Sequence, residues 1–198
     1  MNGTFSPHLA LAKRFWTEHL KPGDAVIDAT CGNGHDTLFL AQLLLPHPYS
    51  LVAAYDIQVA AIQNTEALLQ RHLPPDQLHR VLLNRRSHTD LELPFSPHLV
   101  VYNLGYLPGG DKTITTQTES TLASVQKSLA ILAPAGALSI TCYPGHAEGE
   151  KEEKALLSYL ETLPSNKYTI SHHKWLNRPN SPTLLWIKKV VTDLKPET

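Results

Sequence analysis

One stretch of the sequence decides the fold: Val26-Ile27-Asp28-Ala29-Thr30-Cys31-Gly32-Asn33-Gly34-His35-Asp36-Thr37. It has the pattern of a strand end, a glycine turn and the start of a helix. Val26 and Ile27 are apolar and β-branched, as a strand buried on both faces requires. Gly32 and Gly34 allow a sharp turn and a close approach of the backbone to a ligand. Because the first turn of a helix offers free N–H groups and a partial positive charge, the stretch predicts a binding site.

A second strand, Leu51-Val52-Ala53-Ala54-Tyr55-Asp56, also ends in an acid. Asp56 lies 22 residues after Gly34 (56 − 34), and an acid at that distance is placed to bind the two hydroxyls of a ribose. Asp28, four residues before Gly32, is typical of methyltransferases that use S-adenosylmethionine (SAM), although Thr30 stands where their first glycine often lies. Together the two stretches predict a nucleoside-cofactor site at the carboxyl edge of a parallel sheet.

Other interpretations of the glycine turn stay open on these residues alone. A nicotinamide-dependent oxidoreductase would carry Gly-x-Gly-x-x-Gly, and Thr37 in place of the third glycine argues against it. The stretch is also compatible with a protein that binds a nucleoside without catalysis. It is equally compatible with a turn that only joins a strand to a helix.

Length and composition predict a single domain spanning residues 1–198, with an N-terminal helix in 1–20 and a tail from 190 to 198. With 17 basic and 18 acidic residues the net charge is −1, which gives no global attraction to nucleic acid. Cys31 and Cys142 lack metal-ligand spacing, so we expect no metal and a reducing, cytoplasmic compartment. We see neither a secretory signal nor an apolar run of membrane-spanning length, and expect no membrane partner.

Strands and helices alternate until two strands follow one another at the end of the chain. The pattern predicts an α/β, Rossmann-like, doubly wound fold: a seven-stranded, mostly parallel sheet with helices on both faces and an antiparallel strand in the last pair. In such a sheet, the loops after strands one, two, four and five should line one crevice. The predicted strands are 25–29, 51–56, 81–83, 98–102, 137–142, 168–171 and 184–187; the predicted helices are 7–20, 35–45, 58–72, 116–132 and 150–163.

The loop after the fourth strand is Asn103-Leu104-Gly105-Tyr106-Leu107-Pro108-Gly109-Gly110-Asp111-Lys112. Amine-directed methyltransferases often carry Asn/Asp-Pro-Pro-aromatic here, and Asn103 and Tyr106 keep that spacing. The loop therefore predicts an acceptor site in which Asn103 accepts a hydrogen bond from an amine, while Asp111 attracts the ammonium or takes a proton. A structural glycine loop is the alternative.

Three further features lie in or near the predicted crevice. Tyr143 and His146 follow the fifth strand and are candidates for substrate binding, whereas Ser87 and His88 follow the third and are candidates for the adenine side. His172 and His173 are adjacent strand residues that face opposite sides, so they should not share a metal ion. The charged run 148–154 is expected to be a solvated start of a helix.

These residues together resemble one family, the tRNA 5-(aminomethyl)-2-thiouridine methyltransferases, long labelled rRNA methylases. The resemblance rests on the stretches 28–37, 56–58, 103–112, 143–146 and 177–182, and it runs along almost the whole chain. It implies the SAM-dependent methyltransferase fold of class I. The implied reaction methylates the exocyclic primary amine of the modified wobble uridine to give 5-methylaminomethyl-2-thiouridine.

The resemblance also implies tRNA, bound through its anticodon stem-loop, as the partner, and is compatible with a homodimer. The implied catalytic residues are Asn103, Tyr106 and Asp111. The implied SAM-binding residues are Asp28, Thr30, Gly32, Asn33, Gly34, Asp36, Thr37, Asp56, Gln58, Ser87, His88 and Asn103. The implied substrate-binding residues are Gly105, Tyr106, Gly109, Gly110, Asp111, Lys112, Tyr143, His146, Asn177 and Asn180. Methylation of rRNA or of a small amine is the alternative, and Arg85-Arg86 or Lys188-Lys189 are the basic clusters predicted to meet RNA.

Overall fold

A computed structural model describes residues 6–92, 94–110, 115–178 and 180–191. The strands are β1 (Ala25–Asp28), β2 (Leu51–Asp56), β3 (Val81–Arg85), β4 (Leu99–Asn103), β5 (Ala137–Cys142), β6 (Tyr168–His173) and β7 (Thr183–Lys189). The helices are α1 (Pro7–His19), α2 (His35–Leu44), α3 (Val59–His72), the short α4 (Pro75–Leu78), α5 (Thr118–Ile131) and α6 (Ala147–Leu160). The tail predicted from residue 190 lies outside the described residues from 192 onward.

One seven-stranded sheet organises the chain, in the order β3-β2-β1-β4-β5-β7-β6. β1 to β5 pair in parallel, whereas β7 runs antiparallel to both β5 and β6. The predicted α/β fold with its antiparallel strand in the last pair is confirmed. The strand order reverses between β1 and β4, and a doubly wound sheet opens a ligand crevice at that point.

Alternate residues of the strands enter two separate cores. Val26 and Leu99 pack on one face against α1, α2 and α3, while their neighbours Ile27 and Val100 pack on the other face against α5 and α6. The central strands β1 and β5 are buried along their whole length. This burial on both faces explains why β1 is apolar until its final residue, Asp28.

Two element bounds differ from the sequence prediction for identifiable reasons. β3 extends to Arg85 because Asn84 and Arg85 continue the ladder beside Tyr55 and Asp56. α6 begins a turn earlier than predicted because His146 caps it, with its Nδ1 accepting from the Gly149 N–H at 3.1 Å. Among the described residues, no helix has the length and apolarity needed to cross a membrane.

Candidate functional site

A cleft of about 1100 Å³ opens at the carboxyl edge of the sheet. One side, which we call the β1–β2 wall, is formed by the loops after β1 and β2. The other side, the β4–β5 wall, is formed by the loops after β4 and β5 together with Asn180 and Pro182 of the β6–β7 loop. These are the loops that the alternating pattern predicts to meet, because parallel strands end at the same edge.

Asp56 holds the two loops of the β1–β2 wall together. Its Oδ2 accepts the Gly32 N–H at 3.0 Å, and its Oδ1 accepts the Gln58 N–H at 2.9 Å. A carboxylate has about four acceptor positions, so lone pairs remain for hydroxyl groups that enter the cleft. Ile57, exposed between Asp56 and Gln58, adds apolar surface to the same wall.

Asp28 lies beneath the turn and supports it from below. It is buried, its Oδ2 accepts from Thr37 Oγ1 at 2.6 Å, and its Oδ1 accepts the Thr30 N–H at 3.2 Å. Burial first, and then the nearby Asp36 carboxylate, raise the pKa of Asp28 to about 7. Asp28 therefore shapes the glycine turn without forming part of the cleft wall.

Gly34 is required for close packing of the turn against α3. Its φ is +82°, and a Cβ at this position would lie 2.8 Å from both Cα and Oγ1 of Thr65. Thr65 Oγ1 also donates to the Gly32 carbonyl at 3.1 Å. Any side chain at Gly34 would thus push the glycine turn away from α3, and the obstacle is Thr65 rather than the cleft itself.

Asn103 stands where the two walls meet. Its backbone N–H donates to Thr30 Oγ1 at 2.8 Å, and its side-chain Nδ2 donates to Asp36 Oδ2 at 3.2 Å. Because Asp36 accepts from the amide nitrogen, the carboxamide is oriented with Oδ1 as its acceptor end, and the Tyr143 hydroxyl is a further hydrogen-bond partner of this side chain. Lys13 of α1 lies 3.6 Å from the other Asp36 oxygen.

The glycine loop after β4 is tied down at both of its described ends. Asn33 Nδ2 donates to the Pro108 carbonyl at 3.0 Å, and the Asn33 Oδ1 accepts from Asn64. The Gly105 N–H donates to Thr116 Oγ1 at 2.9 Å, and Thr116 donates to Glu152 at 3.0 Å. Asp111 and Lys112, predicted to bind substrate, lie outside the described residues.

The charged run at the start of α6 is not fully solvated, so that prediction is wrong for two of its members. Glu152 and Glu153 are buried because hydroxyl groups satisfy them: Thr116 and Thr121 donate to Glu152, and Thr183 donates to Glu153. Burial raises the pKa of Glu152. The run thus connects α6 to the β4–β5 wall, which its charge pattern alone did not indicate.

Tyr143 and His146 both line the cleft from the loop after β5. Burial raises the pKa of Tyr143 to about 12, so its hydroxyl stays protonated, 3.5 Å from His8 Nε2. Since His146 Nδ1 accepts from Gly149, the neutral ring carries its proton on Nε2, which is buried and has no hydrogen-bond partner among the described residues. His146 is therefore a helix cap that also offers one donor.

Ser87 and His88 lie after β3, the strand next to β2, at a 3-10 turn. The Ser87 hydroxyl caps that turn by accepting the Thr89 N–H at 3.2 Å. His88 Nε2 lies 3.3 Å from Ser120 Oγ, and burial lowers the pKa of the ring, so His88 is neutral at pH 7. Both residues line the cleft.

The structure brings most of the predicted site residues into one cleft. Its lining includes Thr30, Gly32, Asn33, Asp36, Asp56, Gln58, Ser87, His88, Asn103, Gly105, Tyr106, Gly109, Tyr143, His146 and Asn180. Five others lie away from its wall: Asp28 and Thr37 are buried beneath the turn, Gly34 faces α3, Gly110 packs against Leu107, and Asn177 lines a separate cavity. The position of Asn177 therefore does not support direct contact with a substrate in the main cleft.

Two groups on α1 were missed by sequence reasoning. Lys13 reaches Asp36, and buried His8 packs edge-to-face on Tyr143. Nothing in the local pattern of α1 sets these residues apart from an ordinary amphipathic helix, because their role arises from packing across the carboxyl edge of the sheet. Thr116 also lines the cleft and was not predicted, although its place directly after the glycine loop could have indicated it.

Comparison with known proteins decides the family. The family described as "Putative rRNA methylase" matches residues 52–189. This chain belongs to that family. A tRNA (mnm(5)s(2)U34)-methyltransferase of the chloroplast of Arabidopsis thaliana is 34% identical in an alignment of 181 residues, which covers 88% of this chain and 66% of that protein. The resemblance drawn from the sequence motifs is therefore confirmed.

Solved structures of the rRNA methylase family share the whole fold. A protein from Clostridium thermocellum described as a "putative rRNA-methylase" matches with a TM-score of 0.87 and 32% identity, over 95% of this chain and 100% of that one. A Streptococcus mutans methyltransferase solved with SAH matches with a TM-score of 0.81 and 29% identity, over 94% and 100%. The fold is that of the SAM-dependent methyltransferases, as predicted.

Proposed function

We propose that this chain transfers a methyl group from SAM to the exocyclic primary amine of 5-aminomethyl-2-thiouridine at the wobble position of tRNA. The product is 5-methylaminomethyl-2-thiouridine. One observation carries the proposal: in a chain related to a tRNA (mnm(5)s(2)U34)-methyltransferase, an oriented Asn103 carboxamide lies in the same cleft as Asp56.

The β1–β2 wall fits a nucleoside cofactor. Asp56 keeps free lone pairs beside the Gly32 turn, and Ile57 presents an apolar side chain next to it. The carboxylates of Asp36 and Asp56 both line the cleft and favour a cation between them. SAM would supply a methyl group that its sulfonium charge makes electrophilic.

The β4–β5 wall would prepare the amine. An alkylammonium has no lone pair, so one proton must leave before attack, and partial burial in the cleft favours the neutral form. Asn103 Oδ1 then accepts an N–H of the amine and aims the nitrogen lone pair. The N–C bond forms while the C–S bond breaks, and the bonding pair stays on sulfur. Most of the acceleration would come from this alignment.

Two carboxylates are candidates for the departing proton. Asp111 stays the proton acceptor predicted from the sequence. Asp36 belongs to the β1–β2 wall but bonds Asn103 Nδ2 at 3.2 Å, which makes it a second acid beside the acceptor group. The proposal also includes a cytoplasmic location and binding of tRNA through its anticodon stem-loop. It further includes a homodimer, which light scattering of the purified protein tests.

Mass spectrometry of tRNA nucleosides tests the reaction. We would incubate the protein and SAM with tRNA from cells that stop at the aminomethyl stage, and separately with tRNA whose wobble uridine is unmodified. Only the first should gain a methyl group, and its rate should rise with pH until the bound amine is largely neutral. Equal methylation of both, or a methyl group at another nucleotide, would refute the acceptor.

The alternative acceptors enter the same experiment as further samples. The family description names rRNA, and the net charge of −1 mildly favours a small substrate. Ribosomal RNA and a panel of primary amines should remain unmethylated under conditions in which the aminomethyl tRNA is consumed. Faster methylation of either would replace tRNA as the substrate.

A further inference from the structure

A second cavity of about 470 Å³ lies between the start of α1 and the loop that joins β6 to β7. Arg14 of α1 and Trp175, Asn177 and Arg178 of the loop line it. The rest of its lining is apolar and comes from α1. This combination of two guanidinium groups and an indole suits a phosphate beside a stacked base.

The second cavity lies at the same edge of the sheet as the main cleft. β7 is antiparallel to β5, and β6 is antiparallel to β7, so β6 runs in the direction of β5. The β6–β7 loop, residues 174–182, therefore starts at the carboxyl edge. Its far end supplies Asn180 and Pro182 to the main cleft. The described residues of one loop thus line both cavities.

Unpaired positive charge concentrates on this loop. Lys174 and Arg178 are exposed, and neither forms an ion pair within the described ranges of the chain. Arg14 bonds Glu18 at 2.7 Å through its Nε, which leaves its remaining guanidinium N–H groups available. For a protein with a net charge of −1, such a local patch is what a polyanion would require.

The basic clusters predicted from the sequence are less suited to this task. Lys188 and Lys189 lie at the opposite edge of the sheet, because Lys188 pairs with Ala137, the first residue of β5. Lys189 donates to the Leu132 carbonyl at 2.8 Å. Arg86 is within 3.5 Å of Glu92. Lys188 and Lys189 therefore lie away from the active cleft, and their contact with RNA stays a prediction.

We propose that the second cavity and the adjoining residues Lys174 to Arg178 bind the RNA strand next to the nucleotide that enters the main cleft. Arg178, with Lys174 and Arg14, contacts backbone phosphates, and Trp175 offers a face for an unstacked base. The exposed Leu176 extends the apolar surface at the tip of the loop. This assignment rests on the proposed function, since it requires the substrate to be RNA.

The test compares Arg178→Ala and Lys174→Ala with Lys188→Ala. The three variants each remove one exposed positive charge, and the last lies at the opposite edge of the sheet. Fluorescence anisotropy measures binding of a labelled anticodon stem-loop RNA at several salt concentrations. Arg178→Ala should weaken binding about tenfold and lower the salt slope by about 0.7 to 1. Lys188→Ala should stay within about twofold of the parent, as expected for a surface change away from the contact.

Steady-state methylation separates this inference from the proposed function. For Arg178→Ala, KM for tRNA should rise with kcat and SAM affinity unchanged, because the residue touches neither the amine nor the cofactor cleft. If the parent methylates tRNA but Arg178→Ala and Lys188→Ala behave alike, the subsite is refuted and the function stands. If RNA binding depends on Arg178 but no aminomethyl group is methylated, the RNA subsite is supported and the proposed methyl acceptor is refuted. A parent that binds no RNA overturns both.

Discussion

The two walls of the cleft are held together in different ways. In the β1–β2 wall and directly beneath it, Asp56 and Asp28 accept backbone N–H groups from their own and neighbouring loops, including Gly32, Gln58 and Thr30. The donors lie within a few residues of the two glycines or of the acids themselves. This wall is preorganised before any ligand enters.

The β4–β5 wall is instead held mainly by side chains from segments outside the two loops that form it. Asn103 bonds Asp36, Pro108 accepts from Asn33, and Gly105 is tied through Thr116 to Glu152 on α6. A substitution in the β1–β2 wall should therefore act locally, whereas the β4–β5 wall depends on at least three other segments. Substitutions in the two walls should therefore have different effects on SAM binding and on turnover.

The largest expected effect is on the β1–β2 wall at Gly34. Gly34→Val should abolish measurable SAM binding and lower the melting temperature, because its Cβ would meet Thr65 at 2.8 Å and its φ of +82° disfavours a side chain. Calorimetry with SAM and thermal unfolding are the measurements. Gly23→Ala is the matched control: Gly23 has a φ of +92° but nothing within 4 Å of an added Cβ. Normal SAM binding by Gly34→Val would show that the turn need not pack on α3.

The next effect is on the β4–β5 wall and should leave the first wall intact. Asn103→Ala should lower kcat roughly a hundredfold, since a misplaced amine loses its line of attack, while SAM affinity changes little. Single-turnover methylation and SAM calorimetry give the two numbers. Asp36→Asn serves as a comparison because its amide oxygen can still accept from Asn103 Nδ2. Lost SAM binding with intact turnover would reassign Asn103 to the cofactor.

The different construction of the walls also explains what the sequence could predict. The alternation of strands and helices, the Gly32 turn and Asp56 are local patterns, so they were predictable. The burial of Glu152 and the orientation of Asn103 arise from contacts with Thr116 and Asp36, which no local period encodes. Lys13 was missed for the same reason, since its significance appears only when α1 packs at the carboxyl edge.

A smaller effect is expected when Asp56 loses its free lone pairs. Asp56→Ala should weaken SAM binding roughly tenfold to a hundredfold, the value of a hydrogen bond to a charged group. Part of the loss would come from the Gly32 and Gln58 N–H groups that Asp56 now holds. Calorimetry on a variant of unchanged melting temperature is the measurement. Unchanged affinity there would place the ribose elsewhere and break the assignment of the β1–β2 wall to the cofactor.

The smallest effect concerns stability, and it tests whether Asp28, buried beneath the β1–β2 wall, is protonated in the folded protein. The pKa of Asp28 is raised from 3.8 to about 7, so the folded chain holds a proton that the unfolded chain releases. This group therefore makes the folded state lose stability as pH rises from about 4 to about 7, and no further above that.

Histidines with lowered pKa, among them His8 and His88, act in the opposite direction near pH 6, so the parent protein alone would not reveal Asp28. Asp28→Asn keeps the shape and cannot ionise. The difference in unfolding free energy, variant minus parent, should rise by up to about 1 kcal/mol per pH unit between pH 5 and 7 and then level off. Urea unfolding at pH 5, 6, 7 and 8 measures it, and a difference that stays flat with pH would show that Asp28 is ionised in the folded protein throughout.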